Sequence, residues 1–131
     1  MLVVDTSVVF AALVAPEAWP RLVSRLTDDA ELFCPHLLDT ELLHALRQAV
    51  ARGEIGDDRA TDVLTDLGEL ALVRYPHWPF SRRAWQLRHN LTPYDAMFVA
   101  LAEVLEVPLL TCDARLASSS GHDAQVELFA P

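Results

Sequence analysis

A chain of 131 residues, 52% of them hydrophobic, suits one domain around one core and is too apolar for disorder. Its net charge of -9, from 19 acidic and 10 basic residues, argues against a simple electrostatic binder of nucleic acid. All ten basic residues are arginine, which excludes a P-loop lysine and Schiff-base catalysis.

No apolar stretch is long enough to span a bilayer. The opening MLVVDTSVVFAALV lacks a basic leader and is interrupted by Asp5. It therefore reads as a core strand and a helix rather than a secretory signal, and a cytoplasmic location is expected. Residues 1–4 form the first predicted strand and 7–14 a helix that Pro16 ends. A second helix is predicted over 17–26, with Trp19, Leu22, Val23 and Leu26 at helical spacing. Residues 31–34 form a strand closed by Pro35, and 37–52 a helix stopped by Gly53 and Gly56. Asp57 and Asp58 suit the positive end of the next helix, which runs to residue 70, and residues 72–75 form a third strand.

Residues 76–79 read as a turn and 80–89 as a helix. The most apolar helix covers 92–106, with Thr92 at its N-cap and Pro93 at its first position. A strand at 108–111, a short helix at 113–117, a loop at 118–123 and a strand at 126–129 complete the chain. Strands alternating with helices imply an α/β fold with a central parallel sheet of four to five strands, flanked by helices on both faces. The whole chain, 1–131, reads as one such domain.

In open parallel sheets, ligands bind at the carboxyl ends of the strands. Asp5 follows Leu2-Val3-Val4, and Asp113 follows Leu109-Leu110-Thr111-Cys112, so both belong at that edge. For each alone, a helix cap or turn role is the plainer reading. Asp95 lies three residues after Thr92, where a capping-box acid would sit. The helix it starts is apolar nearly all round and hence buried, so its carboxylate needs a partner or a cation. Asp39 and Glu41 both border the apolar stripe of the 37–52 helix, and periodicity does not choose between them. Hard oxygen ligands without Cys or His spacing suit magnesium or manganese over zinc. Such a metal, with a few waters and a phosphate, makes phosphodiester hydrolysis a natural chemistry.

The segments VVDTSVVFAAL, LLDTELLHALR and LTPYDAMFVALAEVLEVPLLTCD, followed by DARL, occur in an order that resembles a PIN-domain ribonuclease, and more closely a VapC-type toxin of a toxin–antitoxin pair. The resemblance covers essentially the whole chain. It implies a three-layer PIN-like fold and a magnesium-dependent endoribonuclease. It selects Asp5, Glu41, Asp95 and Asp113 as the acidic catalytic set, preferring Glu41 to Asp39. Asp5 and Asp95 would be the direct metal ligands, Asp113 would complete the site directly or through water, and Glu41 would act through water or orient the nucleophile. Thr6, Ser7 and Thr111 match hydroxyl positions beside the acids. His44 stands where many relatives have Asn. The resemblance also implies an RNA substrate, a homodimer and a cognate antitoxin whose inhibitory segment lies in a groove walled by the 17–26 and 57–70 helices.

The remaining features carry plainer expectations. Arg82, Arg83 and Arg88 are candidate phosphate contacts, with a solvated helix face as the expected role. Trp78 is the stacking candidate; Trp19 and Trp85 are expected in the core or an interface. Cys34 and Cys112 are expected as buried free thiols, and no histidine is assigned to a metal. The rival readings are a non-catalytic PIN-scaffold binding module, a haloacid-dehalogenase-type phosphatase and a receiver domain. The phosphatase lacks its second Asp, with Ser7 in that place, and the receiver domain lacks its lysine.

Overall fold

Three short apolar runs make the middle of the sheet. β1 (Leu2–Val4), β2 (Leu32–Pro35) and β4 (Leu109–Thr111) are buried at every position, the mark of strands covered on both faces. The computed structural model describes residues 1–28 and 31–130. β3 (Leu72–Tyr75) and β5 (Val126–Leu128) are the two edges. All neighbours pair in parallel, in the order β3-β2-β1-β4-β5. Val3 is the hinge of the register, aligned with Phe33 on one side and Leu109 on the other.

Two groups of helices cover the sheet. α1 (Thr6–Val14), α2 (Pro20–Asp28), α3 (Leu37–Ala51) and α4 (Asp57–Glu69) pack around α1, and α3 lies on β2. α6 (Pro93–Leu105) lies across β1, β2 and β4, with α5 (Ser81–Gln86) packed on it. α7 (Ala114–Ala117) follows β4. The three-layer α/β architecture expected from the sequence is the one observed. The core joins Leu2, Val4, Leu38, Leu42, Phe98, Leu101 and Leu109, all essentially solvent-free. Among the described residues, no helix is long and apolar enough to cross a membrane.

Most boundaries shift from expectation by one residue. Pro35 lies inside β2, in register with Tyr75, instead of closing it. α2 and the segment around α5 differ more. α2 begins at Pro20, not residue 17. Proline is favoured at a first helical position and keeps the residue before it out of helical geometry, so Trp19 stays outside. Residues 78–80 form a single 3-10 turn, and α5 spans only Ser81–Gln86. Trp85 is consequently not core. The inward side of this short helix is taken by Ala84 and Leu87, which rotates Trp85 outward to 68% exposure. Arg83 is not a solvated residue either. Its Nε and Nη2 donate to Glu103 Oε1 and Oε2 at 2.8 and 2.9 Å, tying α5 to α6.

The sheet order reverses at β1. From there the chain winds outward to β2 and β3, then returns to place β4 and β5 on the other side. The crevice beyond the carboxyl ends of β1 and β4 is therefore the switch point where such folds bind ligands.

Candidate active site

Asp5 and Asp113 leave β1 and β4 at that switch point. Each caps the helix that follows: Asp5 Oδ1 accepts from Thr6 N at 2.8 Å, and Asp113 Oδ1 from Arg115 N at 2.9 Å. The capping role and the edge position thus coincide. A carboxylate that caps a helix starting at the strand end is aimed at the crevice by that geometry.

Asp5 is 7% exposed and sits in a network of hydroxyls. Its Oδ2 accepts from Ser7 Oγ and from Thr111 Oγ1, both at 2.7 Å. Ser7 Oγ in turn accepts from Cys112 N at 3.0 Å, and Thr111 Oγ1 from Asp113 N at 3.0 Å. The two loops that meet at the switch point are therefore stitched through one carboxylate. Three donors use three of the roughly four acceptor sites of a carboxylate and leave about one for another partner.

Glu41 reaches this centre from α3. Its Oε1 accepts from Thr6 Oγ1 at 2.8 Å. Burial pushes its carboxyl up, the Thr6 hydrogen bond opposes this, and the charges of Asp5 and Asp95 add to the rise. Asp39 turns the other way and is held by Arg74 of β3. The structure thus separates two acids that helical periodicity leaves equivalent. Asp95 enters from the first turn of α6, where its backbone N–H donates to the N-cap Thr92 at 3.2 Å. Burial raises its carboxyl most, Asp5 and Asp113 raise it further, and Arg115 and Thr92 lower it.

Asp5, Glu41, Asp95 and Asp113, from four separate elements, are thereby within electrostatic reach of one another in a linked set. The nearby cation is Arg115, with Nη2 3.5 Å from Asp113 Oδ2 and 3.8 Å from Asp95 Oδ2. Its side chain is 78% exposed, so it offsets little of the repulsion in the crevice. Sequence reasoning gave Arg115 no role. Its only signal was its place two residues after Asp113 in DARL.

A hard divalent cation fits this donor set. The donors are carboxylate oxygens, the carboxyls of Glu41 and Asp95 are raised by burial and by neighbouring carboxylates, and among the described residues no buried cation faces them. Among the described residues, no three His, Cys, Asp or Glu side chains are drawn close enough to form a preassembled cage. Magnesium suits such an open site, because it keeps several waters and takes one or two protein carboxylates.

Other groups have structural roles. His44 is exposed and joins no hydrogen bond to Glu41, whose partner is Thr6. Burial pushes the Cys34 thiol up to about 12, and it is unreactive there; Cys112 is half-buried and raised in the same direction. Ser119 Oγ lies 2.8 Å from His122 Nε2. His122 Nδ1 accepts from Ala124 N, so the ring proton is on Nε2 and the imidazole cannot take a proton from the serine. Ser119 donates instead to Leu116 O at 2.6 Å, which makes the pair a loop staple.

An apolar trough runs alongside the acids, lined by Phe10, Ala11, Val14, Trp19 and Ala45 and ending at Thr6, Ser7 and Cys112. Of the two helices expected to wall such a groove, α2 contributes only the preceding Trp19. α4 packs on α1, fastened by Arg59 Nη2 to Leu13 O at 2.6 Å, and contributes no residue to the lining of the trough.

This crevice of acids on a five-stranded parallel sheet has the form of a PIN domain, and residues 2–120 match the PIN-domain family model. The chain belongs to the PIN-domain family. Within it, its relatives are VapC proteins. It is 45% identical over 127 residues to Ribonuclease VapC1 of Mycobacterium tuberculosis, spanning 96% of both chains. It is 41% identical over 130 residues to Ribonuclease VapC12 of the same organism, spanning 99% of this chain and all of the relative. The fold is similar to DNA-bound VapBC from Salmonella typhimurium, with a TM-score of 0.69, 16% identity and 96% of both chains covered. It is also similar to M. tuberculosis VapC20, a sarcin-ricin loop cleaving toxin, with a TM-score of 0.67, 17% identity and 94% and 97% coverage.

Proposed function

We propose that this chain is a magnesium-dependent endoribonuclease and the toxin of a toxin–antitoxin pair. The observation that carries the reading is the convergence of four acids, each from a different element, on one switch-point crevice, where among the described residues the near cation is the surface arginine Arg115. The names of its full-length relatives, Ribonuclease VapC1 and Ribonuclease VapC12, supply the substrate class.

Asp5 and Asp95 would hold the metal directly, and Asp113 would complete its shell. Manganese could serve in the same place. When bound, the metal supplies a more acidic water and offsets the charge gathering on the phosphate oxygens. The protein's own residues do the rest. Ser7 and Thr111 fix the orientation of Asp5. Glu41, raised by burial and held by Thr6, orients the attacking water and accepts its proton. The water oxygen bonds to phosphorus as the bond from phosphorus to the 3′ oxygen breaks. The 3′ oxygen takes up a proton from solvent, which leaves 5′-phosphate and 3′-hydroxyl ends.

Two partners belong to the same reading. The apolar trough beside the acids suits an antitoxin segment that buries an apolar stripe there and presents a basic residue to the crevice. A homodimer is expected as the working form. The test is to map the ends of RNA cut by the purified chain in magnesium. Cuts bearing 5′-phosphates, absent in EDTA, support the reading; cyclic phosphate ends or EDTA-resistant cuts sink it.

A further inference from the structure

Between Glu69 and Asp95 the sequence contains no acidic residue, in a chain that has 19 of them. The same interval holds four of the ten arginines: Arg74, Arg82, Arg83 and Arg88. Two are committed within the fold, Arg74 to Asp39 and Arg83 to Glu103. Arg82 and Arg88 pair with no carboxylate among the described residues.

Trp78, Arg82 and Trp85 line one cleft, and Arg88 lies against Trp85, so the four share one outward face. Trp78 is 85% exposed and Trp85 68%. Trp78, Pro79, Ser81, Arg82 and Trp85 line an open cleft of about 540 Å3. The Arg88 guanidinium lies 4.4 Å from the centre of the Trp85 ring and donates to Trp85 O at 2.9 Å, which braces the ring. Two bare indoles carry an unusual desolvation liability for a monomer surface, and such patches mark sites of contact.

The chemistry of the face favours single-stranded nucleic acid. Indole faces stack on unpaired bases regardless of sequence, and arginine forks take the adjoining phosphates. The remainder of the chain is strongly acidic and repels phosphate, so this acid-free interval is where a polyanion can approach. A second copy of the chain fits less well. A two-fold contact centred here would set Arg82 and Arg88 of both copies against each other without acids to offset them. α5 also packs on α6, whose first turn presents Asp95 to the crevice, so the face and the acids share one rigid unit.

We infer that the Trp78–Arg82–Trp85–Arg88 face is a stacking platform that binds unpaired bases of the RNA substrate outside the acidic crevice. The inference rests on the RNA-cleaving reading for its ligand, but its test needs no cleavage. A fluorescein-labelled single-stranded oligouridylate is titrated with the full chain in EDTA and followed by anisotropy. The double variant Trp78→Ala/Trp85→Ala should bind about 10-fold or more weakly, while Trp78→Phe/Trp85→Phe retains most of the affinity. Arg82→Gln should reduce the slope of log affinity against log salt by about 0.7. The masses of these variants by light scattering should equal that of the wild type. Unchanged affinity in the alanine variant overturns the inference. So does an affinity loss that tracks a loss of mass, because the face then seats a second copy. A wild-type chain that binds through this face yet cuts no RNA in magnesium refutes the nuclease reading and leaves the platform standing.

Discussion

Arg74 grips Asp39 with two hydrogen bonds, Nε to Oδ2 at 2.8 Å and Nη2 to Oδ1 at 3.0 Å. That pair ties the third helix to an edge strand and removes Asp39 from the acidic crevice. Glu41, two residues on, is the acid to which the Thr6 hydroxyl donates. The two carboxylates should therefore separate cleanly in experiment. Asp39→Asn is expected to cost about 1 kcal/mol of stability, as for a part-exposed bidentate pair, with cleavage kept. Glu41→Gln is expected to leave stability intact or raise it while slowing cleavage about 100-fold or more. Urea unfolding and initial cleavage rates on both variants check this.

Thr111 is fully buried and does two jobs, donating to Asp5 and accepting from the backbone N–H of Asp113. Thr111→Val keeps the shape and removes both bonds. The orphaned amide should cost about 1–3 kcal/mol. Loss of the oriented Asp5 should weaken magnesium binding about 10- to 100-fold. Calorimetric titration with magnesium reads the second effect, and denaturant unfolding the first.

The raised carboxyls of Asp95 and Glu41 make the metal-free protein pH-dependent in a defined sense. A carboxyl whose folded-state pKa lies above its unfolded value binds its proton more tightly when folded. Its contribution therefore favours the fold at acid pH and is lost as pH rises from the ordinary carboxylate range through the raised folded value. In EDTA, the Tm contribution of these groups should fall over that window. Asp95→Asn should flatten the fall and raise Tm at neutral pH, and magnesium should restore wild-type Tm there. A Tm that instead rises across the window in EDTA, equally in both proteins, contradicts this assignment.

Much of this was legible in the sequence because the relevant signals are local. LVVD and LLTCD each place an acid directly after a buried strand, and Thr92-Pro93 starts the helix that carries Asp95. Topology then brings those ends together without any contact having to be foreseen. What was not legible depends on side chains far apart in the chain. The choice between Asp39 and Glu41 is made by Arg74 and Thr6, each 35 residues from its partner. Arg83 meets Glu103 across 20 residues, which no helical periodicity reveals. Trp85 was expected in the core or an interface because it is large and apolar, and the core half of that expectation fails. The shortness of its helix, and the prior claim of Ala84 and Leu87 on the inner side, decided otherwise.

The central claim is that Asp5 holds a metal on which RNA cleavage depends. The direct measurement compares RNA cleavage by the wild-type chain and by Asp5→Asn, each in magnesium and in EDTA. Removing a hydrogen-bonding neighbour of a metal ligand typically costs 10- to 100-fold, so replacing a ligand itself should exceed about 100-fold. The account predicts cleavage by the wild type in magnesium alone and none above background in the other three arms. Undiminished cleavage by Asp5→Asn, or by the wild type in EDTA, would contradict it.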